Sequence, residues 1–179
     1  YVIDGVTPEE PEAPEGAYIS ESFATSFGTF TTQETVGNYP WIIDFSTAKA
    51  TSYESDAKTN NAAVSWLISP AVDFTNETEA YVAFEYIIQY ALNNTIAENH
   101  KLLVCADYAG DAATATWTNI PYGATPGGKT ADGKTDWNTF YKANVAVPAE
   151  FLGKNAVTFA LCYTGTEEKA ATWEVKNFI

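Results

Sequence analysis

Apolar and polar residues alternate along much of the chain with a period of two, which is the pattern of half-buried β-strands. The clearest examples, EAYVAFEYIIQY at 79–90 and NAVTFALCYT at 155–164, are rich in aromatic and β-branched residues. Turn residues separate such runs at short intervals, and no stretch shows convincing helical periodicity. The pattern predicts an all-β sandwich or barrel of short strands.

Six further runs have the same character, and one of them is broken by a proline corner at Pro70. They are AYISESF (17–23), TNNAAVSWLISPAVDF (59–74), HKLLVCADY (100–108), ATWTNI (115–120), YKANVAVP (141–148) and AATWEVKNFI (170–179). The last run ends on apolar residues, and a terminal apolar strand must be paired. We therefore expect 170–179 to lie deep in a sheet, with 17–23 as a candidate neighbour.

Two segments depart from the strand pattern. Residues 1–16 carry five acids, three prolines and no lysine, which predicts an extended acidic linker before a folded domain at 17–179. Such a linker would tether the domain to something upstream, and an ordinary flexible terminus is the alternative. Residues 122–137 hold four glycines and no large aliphatic residue. They predict a long loop, which is either functional or a plain surface excursion.

The charge of the chain limits the classes of partner that it can bind. Aromatic residues make up 15% of the 179 residues, and 23 acidic residues stand against nine lysines and no arginine, for a net charge of −14. A polyanion would be repelled, so nucleic acid is excluded as a partner, while cations and neutral sugars remain. No apolar run approaches the roughly 20 residues of a membrane-spanning helix, so we expect no membrane insertion of this domain.

The residues that carry most catalytic and metal chemistry are sparse. Cys105 and Cys162 each lie inside a strand-like run without CxxC spacing, which argues against zinc and leaves either two free thiols or a cross-strand disulfide. The only histidine, His100, begins a predicted strand beside a lysine, where a surface position is expected. No nucleophilic triad can be assembled, so we predict no catalytic residues and no enzyme.

The five tryptophans divide into core and loop positions. Trp66 and Trp173 share strand parity with apolar neighbours and are expected in the core. Trp41, Trp117 and Trp137 lie near turns, where an indole face can stack on a sugar ring while polar neighbours bind its hydroxyls. Corner packing is the alternative for each. The preferred carbohydrate-binding set is Trp137 with its flanking residues, joined by Trp117 and Trp41. The flanking residues are Asp136 and Asn138.

Four motifs together resemble one bacterial family. They are ESF at 21–23, WLISPAVDF at 66–74, FEY at 84–86 and TWEVKNF at 172–178. In this combination the chain is similar to the choice-of-anchor J module, which is related to the cleaved adhesin domain. The resemblance covers residues 17–179. It implies a two-sheet antiparallel jelly-roll sandwich, mostly non-catalytic, from secreted or surface-anchored proteins of Gram-negative bacteria, with adhesive or glycan-binding roles.

The resemblance also implies a structural calcium ion between the first and last strands. Glu21 and Asn177 are the residues that would contribute here, but Lys176 stands where the family has an aspartate. An ammonium group opposes a cation, and a Glu21–Lys176 ion pair could replace the metal. A second calcium fragment, DGKTD at 132–136, offers Asp132 and Asp136 without the six to eight oxygens that calcium needs.

These inferences predict a non-catalytic, exported adhesion or carbohydrate-binding module of a larger cell-surface protein. The location would be extracellular or at the cell surface, anchored to the outer membrane as in a lipoprotein, or periplasmic. The partner would be a glycan or a surface protein. The alternative is a structural spacer or protein–protein interaction domain without a small ligand.

Overall fold

The computed structural model describes residues 15–179, so nearly all of the predicted linker at 1–16 lies outside the described residues. Twelve strands, one short helix and one 3₁₀ turn occur in this part of the chain. The strands are β1 (Thr31–Val36), β2 (Ile42–Asp44), β3 (Thr47–Thr51), β4 (Tyr53–Glu54), β5 (Thr59–Asn60), β6 (Ala63–Ile68), β7 (Tyr81–Gln89), β8 (His100–Cys105), β9 (Thr118–Asn119), β10 (Tyr141–Ala146), β11 (Thr158–Gly165) and β12 (Thr172–Lys176). The helix is α1 (Ile96–Asn99), and the 3₁₀ turn is Ala149–Phe151.

Two five-stranded antiparallel sheets form a sandwich. The first sheet has the order β1-β6-β11-β8-β9, and the second sheet has the order β10-β7-β12-β3-β2. Strands β4 and β5 form a separate two-stranded hairpin. The prediction of an all-β, two-sheet antiparallel jelly-roll sandwich is confirmed.

The main core lies between the two sheets. Leu67 and Tyr163 point into it from the first sheet, and Phe84, Trp173 and Val175 from the second, each at most 2% exposed. Their neighbours along each strand point to the opposite face, because side chains alternate in a strand. Each sheet therefore has an inner face in this core and an outer face turned away from it.

The closing strand lies where its apolar end predicts. β12 pairs with β7 on one side and with β3 on the other, so it is central in the second sheet. Just after it, Phe178 exchanges two backbone hydrogen bonds with Glu21, at 2.9 and 2.8 Å. The predicted contact between the chain's last run and residues 17–23 is confirmed, although 17–23 forms only this isolated bridge.

The strands between residues 24 and 58 were not predicted. β1 reads TTQETV and is an edge strand with a largely polar surface, so it lacks the apolar alternation of a half-buried strand. β3 reads TAKAT, and its buried residues Ala48 and Ala50 are small. Ala50 lies opposite Trp173 across the β3–β12 pair. A small residue beside a bulky one packs well, but it gives a weak hydrophobic signal in the sequence.

His100 is not the predicted surface residue. It is 1% exposed, its Nδ1 lies 2.8 Å from the Ile96 carbonyl oxygen, and its ring packs edge-on against Trp173. Burial lowers the pKa of His100 to about 4, so the imidazole is neutral at pH 7. The prediction failed because α1 and the core cover the start of β8, which no local pattern reveals.

The strand register shows whether Cys105 and Cys162 are free thiols or a cross-strand disulfide. Cys162 lies opposite Lys101, whereas Cys105 lies opposite Thr158, so the two thiols are four positions apart on neighbouring strands. Both cysteines are free and buried. Burial raises the pKa of the Cys162 thiol to about 12, which leaves it unreactive at neutral pH.

Among residues 15–179, no helix has the length and apolar character needed to cross a membrane.

Candidate functional site

The three loop tryptophans do not converge. Trp41 is 2% exposed, its indole N–H donates to the Ser65 carbonyl at 3.2 Å, and its ring packs against Trp173 in the main core. A buried indole has no free face for a sugar, so the prediction of Trp41 as a binding platform is corrected: it is a core residue.

Trp117 lies on the outer face of the first sheet. Its ring stacks on Trp66 with centroids 5.5 Å apart, and its N–H donates to the Ala112 carbonyl at 2.9 Å. Trp66 is buried as predicted, but in this outer cluster with Ile68 and Cys162 rather than in the main core. Trp117 is thus the lid of a small apolar cluster, which matches the corner-packing alternative.

Trp137 lies on the opposite side of the sandwich, at a groove over the outer face of the second sheet. The groove has a volume of about 650 Å³. Its floor is made of outward-facing side chains of β3 and β12. These side chains alternate along each strand with buried core residues. These floor residues are Lys49, Thr51, Thr172, Glu174 and Lys176.

Aromatic side chains border the groove on both sides of this floor. The β2–β3 turn contributes Phe45, and the β4 strand contributes Tyr53. The segment before β10 contributes Trp137, Asn138 and Phe140. Because β2 and β7 lie on opposite sides of the β3–β12 pair, the two sets of rings face a common polar floor. Aromatic faces above hydrogen-bonding groups are the usual composition of a small-ligand site.

The glycine-rich loop at 122–137 builds one side of the groove by lying on β7. Gly127 donates its N–H to the Ile88 carbonyl at 2.7 Å, and the Gln89 amide donates to the carbonyl oxygens of Gly128 and Asp136. A Cβ atom added at Gly127 would come within 2.3 Å of the Gln89 side chain. Glycine at 127 therefore permits the close approach that places Trp137 beside the groove.

Asp136 supports the loop and does not line the groove. Its carboxylate accepts hydrogen bonds from the amides of Asn138 (2.8 Å) and Thr139 (3.2 Å) and from the Thr139 hydroxyl (2.6 Å). These bonds hold the pKa of the Asp136 carboxyl below its usual range, the Thr139 hydroxyl having the largest effect. Of the preferred set, the groove brings together Trp137 and Asn138 only.

Two polar groups in the groove lack partners within the protein. Within residues 15–179, the indole N–H groups of Trp41, Trp66 and Trp117 each have an acceptor, whereas that of Trp137 at the groove and that of Trp173 in the core have none. In the same part of the chain, the Glu174 carboxylate has no hydrogen-bond or ion-pair partner, although the residue is only 5% exposed. A ligand hydroxyl can supply the hydrogen bond that each of these two groups in the groove lacks.

The charges around Glu174 are nearly balanced. Burial raises the pKa of the Glu174 carboxyl, Lys49 opposes this, Asp44 adds to it and Lys176 opposes it. Lys49 pairs with Asp44 at 2.7 Å, and the Lys176 ammonium lies 3.9 Å from the centre of the Phe140 ring. The groove lining carries Lys49, Lys176 and Glu174, and with Asp44, which pairs with Lys49 from outside the lining, the charges balance, in contrast to the strongly acidic molecule around them.

The residues expected to hold calcium do not fit that ion. Glu21 accepts hydrogen bonds from the Thr29 amide and hydroxyl, and Asn177 donates to the Glu85 carboxylate, so both side chains are engaged elsewhere. Within residues 15–179, no three His, Cys, Asp or Glu residues are grouped to hold a metal ion. The expected Glu21–Lys176 ion pair does not form either, since the Lys176 ammonium lies on Phe140.

The second calcium fragment does not fit the ion either. Asp132 accepts a hydrogen bond from the Thr130 hydroxyl and pairs with Lys134 at 3.0 Å on the surface. Asp136 is bonded within its own turn.

Sequence reasoning missed most of the groove. Glu174 and Lys176 could have been found, because they alternate with buried Trp173 and Val175 along TWEVK and so must point outward from a central strand. Phe45 carried no signal. A two-residue hairpin turn is expected at Asn-Gly or Asp-Gly, not at Phe-Ser.

Comparisons with known proteins agree with this architecture. No protein family matches the sequence, and a search of curated proteins also gives no match. Among solved structures, the chain is similar to the K1 cleaved adhesin domain of Lys-gingipain from Porphyromonas gingivalis W83, at 18% identity and a TM-score of 0.54 over 90% of this chain and 96% of that one.

The chain is also similar to the K3 cleaved adhesin domain of the same protein, at 14% identity and a TM-score of 0.53 over 90% of this chain and 98% of that one. At these identities the similarity shows the fold, which is that of a cleaved adhesin domain. Membership of the choice-of-anchor J family stays a prediction.

Proposed function

We propose that the chain is a non-catalytic adhesion module of an exported, cell-surface bacterial protein, and that its groove binds a neutral saccharide. The similarity of its fold to two cleaved adhesin domains supports the adhesive role. The observation that carries the saccharide is the groove itself: exposed aromatic rings stand beside an unpaired indole N–H on Trp137 and an unpaired carboxylate on Glu174.

Each part of the groove suits a pyranose. The ring of Trp137 offers a face for the apolar side of the sugar, and Phe140, one face of which carries the Lys176 ammonium, adds apolar surface at the border. Glu174 can accept hydrogen bonds from ligand hydroxyls, and the Trp137 N–H and Asn138 amide can donate to ligand oxygens. The lysines are held by Asp44 and Phe140, so no free positive charge invites an acidic sugar. The net charge of −14 repels acidic glycans further.

The test is a glycan array followed by calorimetry, with soluble neutral polysaccharides and oligosaccharides compared with sialylated and sulfated glycans. Wild-type protein is expected to bind neutral members. Trp137→Ala should weaken binding at least tenfold, which corresponds to about 1.4 kcal/mol. Trp117→Ala is the matched control, because it removes a partly exposed tryptophan from the other outer face and should leave affinity unchanged.

Absence of binding to every saccharide would reject the carbohydrate hypothesis and favour the alternative of a spacer or protein-interaction domain. Equal effects of the two tryptophan substitutions would place the site elsewhere. Hydrolysis of any of these glycans, abolished by Glu174→Gln, would contradict the non-catalytic role.

A further inference from the structure

The β2–β3 turn combines an unfavourable backbone with an exposed aromatic ring. Asp44 pairs with Thr47, which leaves Phe45 and Ser46 as a two-residue hairpin loop. Both have positive φ, at 50° and 57°. A type I′ hairpin needs this conformation at both positions, and it is strongly favourable for Asn-Gly. Residues with a bulky side chain are strained in the left-handed region, so Phe-Ser is a poor choice for folding.

The ring of Phe45 gains little from the protein to offset this strain. Phe45 is 77% exposed, the largest exposed fraction among the large hydrophobic side chains of residues 15–179. The ring contacts the Lys49 ammonium, which lies 5.2 Å from the ring centre. An exposed cation–aromatic contact contributes little to stability, because water screens it. The ring does, however, line the groove beside Lys49 and Glu174.

We propose that Phe45 is a ligand-contacting residue of the groove, held there by a strained turn that lowers the stability of the free protein. This inference rests on the proposed saccharide function. Phe45 forms the aromatic border opposite Trp137 and Phe140, so a bound sugar ring contacts aromatic carbon from both sides of the polar floor. Strained, exposed residues of this kind concentrate at binding sites, where function and stability oppose one another.

The inference predicts that binding and stability change in opposite directions. Phe45→Asn places a residue that tolerates positive φ in the turn and removes the ring. It should raise the melting temperature by roughly 3 °C while weakening binding of the neutral glycan found on the array at least tenfold. Phe45→Trp restores an aromatic face and should recover most of the affinity.

Two controls separate strain from contact. Ser46→Gly relieves the same turn but keeps the Phe45 ring, so it should raise the melting temperature and leave affinity unchanged. Lys58→Gly relieves a positive φ of 56° in the neighbouring β4–β5 hairpin, away from the groove lining, and should behave in the same way.

The outcomes distinguish this inference from the function on which it rests. If wild-type protein binds no saccharide, the proposed function fails and Phe45 loses its role with it. If wild-type protein binds and Phe45→Asn binds within twofold of it, only the role of Phe45 is overturned. If Phe45→Asn lowers the melting temperature, the turn is not strained and the inference is also overturned.

Discussion

The two outer faces of the sandwich are each covered by a loop, but only one of them is closed. On the first sheet, the loop between β8 and β9 brings Tyr108, Ala112 and Trp117 onto Trp66. Gln33 on β1 fastens this loop with hydrogen bonds to the Tyr108 hydroxyl, the Gly110 carbonyl and the Ala112 amide. The indole N–H groups of Trp66 and Trp117 both have acceptors as well, so the face is a second, smaller core.

On the second sheet, the loop between β9 and β10 covers β7 and stops short of β12 and β3. Gln89 on β7 holds this loop in place by donating hydrogen bonds to the carbonyl oxygens of Gly128 and Asp136. Beyond the loop, Glu174 lies in a groove with no partner of its own within residues 15–179. An aromatic residue in a loop is therefore a candidate for ligand contact only where the loop leaves part of the sheet open.

The largest expected effect is a loss of stability from a substitution in the closed outer face of the first sheet. Trp66→Ala should lower the free energy of unfolding by about 3 kcal/mol or more, since it leaves a large cavity under Trp117 and removes the hydrogen bond from its indole to Thr35. Urea denaturation followed by circular dichroism measures this. Trp137→Ala is the control and should cost less than about 1 kcal/mol, because its ring borders a groove. A loss below 1 kcal/mol for Trp66→Ala would show that the first face is not a second core.

A smaller effect is expected when an aspartate that fixes each covering loop is replaced by alanine. Asp136→Ala removes the three hydrogen bonds that fix the turn after Trp137 and should cost about 1 kcal/mol of stability. It should also weaken saccharide binding, since Trp137 loses its fixed position. Asp111→Ala is the matched control: it removes a hydrogen bond to the Ala113 amide in the other loop. Asp111→Ala should leave calorimetric affinity unchanged; a parallel loss in both variants would contradict the contrast between the faces.

The smallest effect concerns the unpaired carboxylate of the open face. The pKa of Glu174 is raised in the folded protein, so the folded state holds this proton more tightly than the unfolded state. Its contribution to stability therefore falls as the pH rises above the ordinary value near 4.5. The glutamine in Glu174→Gln is uncharged at every pH. The free energy of unfolding of this variant, relative to that of wild type, should therefore increase from pH 4 to pH 7.

Melting temperatures of both proteins across this pH range measure the difference. Glu167→Gln, which removes an exposed acid in the turn between β11 and β12 and outside the groove lining, controls for the change in net charge. A pH-independent difference between Glu174→Gln and wild type would mean that Lys49 and Lys176 fully offset the burial of Glu174, and it would contradict the contrast between the two faces.

The sequence by itself determined the strands whose buried faces carry large apolar side chains; β3, which buries alanines, was not among them. EAYVAFEYIIQY and NAVTFALCYT carry enough apolar and β-branched residues for their alternation to be read directly, and they are the long central strands β7 and β11. The buried state of Trp66 and Trp173 followed from the same alternation. Strand pattern is local information, because side chains two residues apart always share a face.

Only the tertiary structure decided what covers each face. The sequence placed Trp41, Trp117 and Trp137 alike near turns, and the fold put one in the core, one over Trp66 and one beside an open groove. It also brought Phe45 and Glu174 to that groove from segments 129 residues apart in the chain. Which loop lies on which sheet depends on contacts between distant segments, and these leave no periodic trace in the sequence.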